Sequence, residues 1–254
     1  MKDERGLTWL STAELRSLRD RIATGTIGLP LTSASLQAAG LGDRAWVAAE
    51  LAGLDRTGAA VALDLVMAER THGPHPTLDL VWTGPEATAS TARDTGVVMR
   101  EIFAQARERV LIAGYAFDAG AELFEPLFKN MLEHQVRAQM FLNIPRAAPG
   151  ADTAKHARAY VQQFIIDNWP WPAKYPDFFY DPRTVAPDSV ESLHAKCVIV
   201  DERLTLIGSA NFTDRGRTRN IEIGVLIDDV RFGREVALQW QGLINQRLVQ
   251  RIVP

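Results

Sequence analysis

The run Cys197-Val198-Ile199-Val200 is apolar at every position and is bounded by Lys196 and Asp201. A strand with one solvated face alternates apolar with polar residues, whereas a strand that is apolar throughout is covered on both faces. A chain containing such a strand folds in layers, with helices above and below a sheet. The sequence after Pro76 supplies the pieces. Short apolar runs over 78–82, 110–117 and 136–142 alternate with helical periodicity over 97–107, 121–135 and 152–167. This alternation predicts an α/β architecture with a largely parallel first half. Trp169-Pro170-Trp171-Pro172-Ala173-Lys174-Tyr175-Pro176 suits neither helix nor strand. The last third reads as strand, turn, strand, loop, strand and a final helix over 230–249.

Residues 1–76 carry a different pattern. Ser11-Thr12-Ala13-Glu14 has the form of a capping box, and Leu15, Leu18 and Ile22 follow at helical spacing. Gly25 and Pro30 close that helix, and two more are expected over 46–54 and 59–69. The division is therefore a small helical region over 1–76 and an α/β domain over 77–254. Short helices on tight turns allow a helix-turn-helix reader of DNA, but no helix here has a dense basic face. A helical appendage for packing or partner contact is the plainer reading.

Composition narrows the setting. The formal net charge of −3 gives no global attraction to nucleic acid or anionic membrane, so any basic footprint is local. The single cysteine, Cys197, excludes a disulfide framework and a cysteine-built zinc site. His72, His75, His134 and His156 lack ligand spacing and read as surface residues, so no metal is expected. The first twenty residues are charged where a secretory signal needs an apolar core, and no later stretch is long and apolar enough to span a membrane. These features predict a cytoplasmic protein.

The chemistry concentrates between Leu193 and Val225. His194 and Lys196 stand two apart, which on a strand directs both to one face while Cys197 points away into the core. Asp201-Glu202-Arg203-Leu204 reads as a hairpin turn. If Asp201 and Leu204 flank two turn residues, opposed positions sum to about 405, placing Ser209 beside Lys196 and Asn211 beside His194. Gly208 permits close backbone approach. On the next strand, Asn220, Glu222 and Gly224 alternate with Ile221, Ile223 and Val225. A histidine, a lysine, a hydroxyl, an amide and a carboxylate at one end of a sheet suit a phosphodiester. Histidine attacks phosphorus or protonates a leaving alkoxide. Lysine, serine and asparagine stabilise the charged oxygens, and Glu222 can orient the imidazole.

His194-x-Lys196-x4-Asp201-x6-Gly208-Ser209-x-Asn211 resembles, at each fixed position, the signature of the phospholipase D superfamily. Glu222 resembles that family's later acidic position, and the run over 110–117 resembles its second strand. The likeness covers roughly residues 77 to 250. It implies a phospholipase D-type α/β/α sandwich and a metal-independent, cofactor-free hydrolysis or transfer through phosphohistidine. Family sites use two copies of the motif, and this chain has one. The resemblance thus implies a homodimer in which one His194 is nucleophile and the other is general acid. A helical start before a single-motif domain is also similar in layout to the phospholipase-D-like component of DISARM anti-phage systems, which implies other defence proteins as partners. Asp201 is set apart by distance. It lies seven residues from His194, roughly 23 Å along an extended strand, and is assigned to the turn.

Arg215, Arg217 and Arg219 alternate in the expected loop after Asn211 and are candidate phosphate ligands, or a solvated face. The aromatics over 169–180 could stack bases or seal a core. Together they favour nucleic acid over lipid as substrate, and no amphipathic membrane-binding helix argues the other way. A nuclease, a partner-dependent or non-catalytic phosphate-binding subunit, and a phospholipase are the three functions compatible with the sequence.

Overall fold

The computed structural model describes residues 6–42, 44–72, 76–85, 88 and 90–253. His75 lies outside these residues, as does the side chain of His72. The chain forms two compact units, Met1–His75 and Pro76–Pro254.

In the first unit, helix α1 (Thr12–Ala23) starts at the expected capping box. The Glu14 N–H donates to Ser11 Oγ at 3.2 Å, and the Ser11 N–H to Glu14 Oε2 at 2.7 Å. Leu15, Leu18 and Ile22 are buried on one face. Helix α2 (Ser33–Ala38) was not expected; a second capping box, Thr32 with Ser35, nucleates it. Helix α3 (Ala45–Glu50) stops earlier than the expected 54, because Gly53 takes a φ of 77°. Helix α4 (Arg56–His72) starts earlier than 59, where Asp55 Oδ1 accepts the Gly58 N–H at 2.7 Å.

The second unit is built on one mixed sheet of nine strands. The strands are β1 (Thr77–Thr83), β2 (Arg93–Asp94), β3 (Arg109–Gly114), β4 (Arg137–Leu142), β5 (Asp177–Tyr180), β6 (Cys197–Val200), β7 (Leu204–Gly208), β8 (Glu222–Asp228) and β9 (Gln250–Ile252). Their order is β2-β1-β8-β7-β6-β3-β4-β5-β9. The strands β3, β4 and β5 are parallel, as expected of the first half. The strand β1 instead leaves that group to pair antiparallel with β8. Helices α5 (Thr95–Gln105), α6 (Gly120–Glu133) and α7 (Thr153–Asn168) cover one face, on which Val110, Ile112, Val198 and Val200 are buried. Helix α9 (Val230–Asn245) covers Leu111, Ala113, Cys197 and Ile199 on the other. All four residues of β6 are buried, so the all-apolar run does mark a strand between two helical layers.

The Trp-Pro loop takes the second of its two expected roles and seals the core. Trp169 is 1% exposed, and Trp171 stacks on Phe128 with centroids 4.8 Å apart. The segment holding the three arginines contains a one-turn helix, α8 (Asp214–Thr218), capped by Thr213. The hairpin turn has three residues, not two. Val200 opposes Leu204 and Cys197 opposes Ile207, while Asp201 and Glu202 take φ of 51° and 52°. The extra residue is Asp201; Arg203, within the turn, reaches across to Asp228 with Nε 2.5 Å and Nη2 2.6 Å from the two carboxylate oxygens. The register therefore slips by one, and Lys196 faces Gly208, whose N–H donates to the Lys196 carbonyl at 3.2 Å.

Candidate functional site

The site forms at the end of the sheet where the parallel strands β3 and β4 finish, the place where open α/β sheets gather ligands. His194 and Lys196 lie on the irregular segment leading into β6, before the strand itself begins. That segment is anchored by Leu193, which is buried on the α9 side and donates its N–H to Asn143 Oδ1 at 3.0 Å. Asn143 follows β4 directly, and its own N–H donates to the Gly114 carbonyl at 3.2 Å.

Lys196 Nζ donates to the His194 carbonyl at 3.0 Å and lies 3.3 Å from Nδ1 and 3.5 Å from Nε2 of the same residue. The Tyr115 ring lies 4.7 Å from the imidazole, tilted by 54°, and 5.3 Å from Lys196 Nζ. Partial burial pushes the Lys196 ammonium below its ordinary value, and the Glu222 carboxylate opposes that shift. Glu222 accepts from the Ser209 hydroxyl through Oε2 and from Asn220 Nδ2 at 3.0 Å through Oε1. Ser209 Oγ in turn accepts the Ile223 N–H at 3.1 Å.

His194 and Lys196 are thus together, and Ser209 and Glu222 form a second pair linked to Lys196 by charge. The slipped register explains why Ser209 is not held opposite Lys196: its partner is Glu222, the first residue of β8. Within one chain, the Glu222 oxygens serve Ser209 and Asn220, and the polar neighbour of the imidazole is Lys196. The expected Glu222–His194 contact is not among these bonds. Asn211 sits where its neighbour Gly216 allows very close approach, since a Cβ at 216 would stand 2.5 Å from the Asn211 carbonyl oxygen. Asn211 Oδ1 is buried and, among the described residues, has no hydrogen-bond partner. At Gly208 an added Cβ would lie 3.0 Å from the Ile223 carbonyl oxygen, so β7 and β8 converge closely beside the site.

Asp201 is remote from the imidazole. Its carboxylate accepts three backbone N–H groups, from Arg107 and Glu108 at 2.8 Å each and from Arg109 at 2.9 Å. The turn is thereby pinned to the start of β3. Of the three arginines, Arg217 is 6% exposed and faces inward. It donates to the Thr213 carbonyl at 3.2 Å and the Ala119 carbonyl at 3.3 Å, and burial lowers its pKa against the pull of Asp118, Glu122 and Asp214. Arg217 is therefore no candidate for a substrate contact. Arg215 and Arg219 are exposed, Arg219 within 3.3 Å of Asp214. Cys197 is buried against α9, and burial pushes its thiol up to about 11.

Tyr115 and Asn143 went unnoticed in the sequence. Their signal was position: each follows directly on the end of a buried parallel strand, the first polar-tipped residue after Gly114 and after Leu142. Among the described residues, no group of three His, Cys, Asp or Glu side chains could hold a metal, and no helix is long and apolar enough to cross a membrane. The arrangement offers one nucleophilic or acidic imidazole, one cation beside it, and a hydroxyl polarised by a carboxylate. That set can bind and attack an anionic phosphoryl centre.

Residues 99–246, more than half of the chain, match the profile of a family described as cardiolipin synthase, PLD-like domain. The DISARM protein DrmC of Bacillus paralicheniformis is 28% identical over 153 residues, covering 59% of this chain and 56% of that protein. Cardiolipin synthase A of Buchnera aphidicola subsp. Baizongia pistaciae is 46% identical over 46 residues, covering 18% of this chain and 9% of that protein. The chain thus spans little more than half the length of the first relative and a small part of the second. Among solved structures, a phospholipase D family member, Nuc from Salmonella typhimurium, aligns with a TM-score of 0.46 at 18% identity, covering 71% of this chain and all of that one. NucT from Helicobacter pylori aligns with a TM-score of 0.46 at 17% identity, covering 67% of this chain and 97% of that one.

Proposed function

This chain belongs to the family of phospholipase-D-like domains, and we propose that it is a metal-independent phosphodiesterase, a nuclease of anti-phage defence, working through a phosphohistidine. The observation that carries the proposal is the Lys196 ammonium 3.3 Å from the His194 imidazole, with the Ser209–Glu222 pair at the same strand ends. In the first step a His194 nitrogen bonds to phosphorus, one P–O ester bond breaks, and the leaving alkoxide takes a proton. In the second step water attacks phosphorus, the P–N bond breaks, and the water's proton passes to the group that gave its own away. Lys196 holds the non-bridging oxygens, Asn211 supplies its amide at the same rim, and the Ser209 hydroxyl joins them by turning its one proton from Glu222 to the phosphate.

Two protonation roles need two imidazoles, and the chain has one motif. A homodimer with both His194 side chains on one phosphate completes the site. Association is supported by the exposed apolar side chains Leu78, Leu80, Ile221 and Ile223, of which the last two flank Glu222. Similarity to a protein of the DISARM system supports the defence setting and the possibility of partner proteins. The exposed Arg215 and Arg219 support a polyanionic substrate.

The test is cleavage of labelled single- and double-stranded DNA and RNA, with and without EDTA, by the protein and by His194→Ala. Cleavage that survives EDTA and disappears in the variant supports the reading; cleavage retained by the variant overturns it. A second reading, phosphatidyl transfer, is favoured by the likeness to cardiolipin synthase A. Head-group exchange on phosphatidylglycerol vesicles, absent from nucleic-acid assays, would select it.

A further inference from the structure

We propose that Tyr115 is a positioning residue for His194, its ring forming the wall that fixes the imidazole and the Lys196 ammonium relative to each other. The inference rests on the assignment of His194 as the reacting group. Its own basis is geometric. The Tyr115 ring lies 4.7 Å from the imidazole and 5.3 Å from Lys196 Nζ, so one aromatic side chain touches both functional groups. Aromatic and cation–π contacts of this kind each contribute by holding orientation as much as by energy.

The backbone around the ring is held at several points. The Gly114 carbonyl accepts from Asn143 N–H at 3.2 Å, and the Ala116 carbonyl accepts from Phe212 N–H at 3.0 Å. Asn143 also receives the Leu193 N–H through Oδ1 at 3.0 Å. One asparagine therefore ties the residue before Tyr115 to the residue before His194. The backbone segments that carry Tyr115 and His194 are thereby held in one frame. The Tyr115 hydroxyl has no hydrogen-bond partner among the described residues; burial, with Tyr115 as a lesser cause, raises the pKa of Tyr160 on α7. What Tyr115 offers His194 is its ring face, and the hydroxyl is dispensable.

The test compares Tyr115→Phe, Tyr115→Leu and Tyr115→Met in the full chain, with bis(p-nitrophenyl) phosphate as substrate and carbon-detected spectra of the His194 ring. Phenylalanine keeps kcat within about twofold, while leucine and methionine lower it about tenfold to a hundredfold, with KM changed less than about twofold. In the spectra the His194 ring protons keep their aromatic ring-current shift in the phenylalanine variant and lose it in the other two. A leucine or methionine variant with full kcat overturns the inference, as does a phenylalanine variant impaired as severely as leucine. Tyr115 is 37% exposed, and near-ultraviolet circular dichroism identifies any variant that has unfolded. If the unaltered protein cleaves no phosphodiester, the functional reading fails, yet the His194 spectrum still decides whether Tyr115 holds the ring.

Discussion

The carboxylate of Asp201 accepts the backbone N–H of Arg109 at 2.9 Å, joining the turn before β7 to the first residue of β3 across 92 positions of sequence. Two further N–H groups, of Arg107 and Glu108, complete the cradle. The aspartate of the His-x-Lys-x4-Asp motif thus acts on the frame that carries the site and not on the imidazole. Asp201→Ala strands three donors and removes charge-assisted bonds, and is expected to cost about 2–4 kcal/mol. Urea denaturation measures the loss. The folded variant should keep its kcat within about threefold at low temperature; a collapse of kcat with stability intact would return Asp201 to the chemistry.

Lys196 gives a pH signature with two opposite signs. Burial favours the neutral amine, so the folded pKa lies below the unfolded one. Between the two values the unfolded chain binds more protons, and stability rises with pH across that window. Activity that needs the ammonium falls across the same window, on a basic limb below the ordinary lysine range. Rate–pH profiles alongside thermal melts test both. A rate that stays flat up to the ordinary lysine value removes the charged ammonium from the mechanism.

The arginines of α8 separate by burial. Arg217→Ala removes a buried side chain and its bonds to the carbonyls of Thr213 and Ala119, and is expected to destabilise by about 2–4 kcal/mol. Arg215→Ala should leave the melting temperature unchanged, raise KM for an oligonucleotide several-fold, and reduce the salt slope of binding by about one. If Arg215→Ala instead melts early and binds normally, the exposed edge of α8 is structural and the substrate lies elsewhere.

What could be read beforehand follows from how local each cause is. The run 197–200 announced a doubly covered strand because burial on both faces leaves no polar position in it. The capping box at Ser11 announced α1 because its two bonds span three residues. The hairpin register differs from a two-residue turn because Asp201 is drawn into the turn by the N–H groups of Arg107, Glu108 and Arg109, 92 to 94 residues away. Arg217 reads in the sequence as a candidate phosphate ligand or part of a solvated face, and neither anticipates its burial, which depends on carbonyls of Ala119 and Thr213, one of them 98 residues distant. The five-residue α8 held too few apolar positions to show a period. Tyr115 and Asn143 gain their meaning only when β3, β4 and the segment before β6 end side by side. His194 and Lys196 were legible as a pair because two positions along an extended segment bring both side chains together.

The end of β3 supplies the most stringent check on this arrangement. A Cβ at Gly114 would stand 2.3 Å from Phe117 Cζ and 2.7 Å from Phe212 Cδ2. The two rings already stack with centroids 5.0 Å apart, and Phe212 is 1% exposed, so neither has free space. Gly114→Ala should therefore cost about 1–3 kcal/mol through overpacking, lowering the melting temperature by about 2–4 °C per kcal/mol. Because residue 114 precedes Tyr115 and Phe212 follows Asn211, the displaced rings shift both walls of the site, and kcat should fall beyond what lost stability explains. Phe117→Leu removes the nearest atoms and should restore part of both losses in the double variant. A double variant no better than the sum of the two single changes would show that the clash is not the cause and that Gly114 matters through its backbone alone.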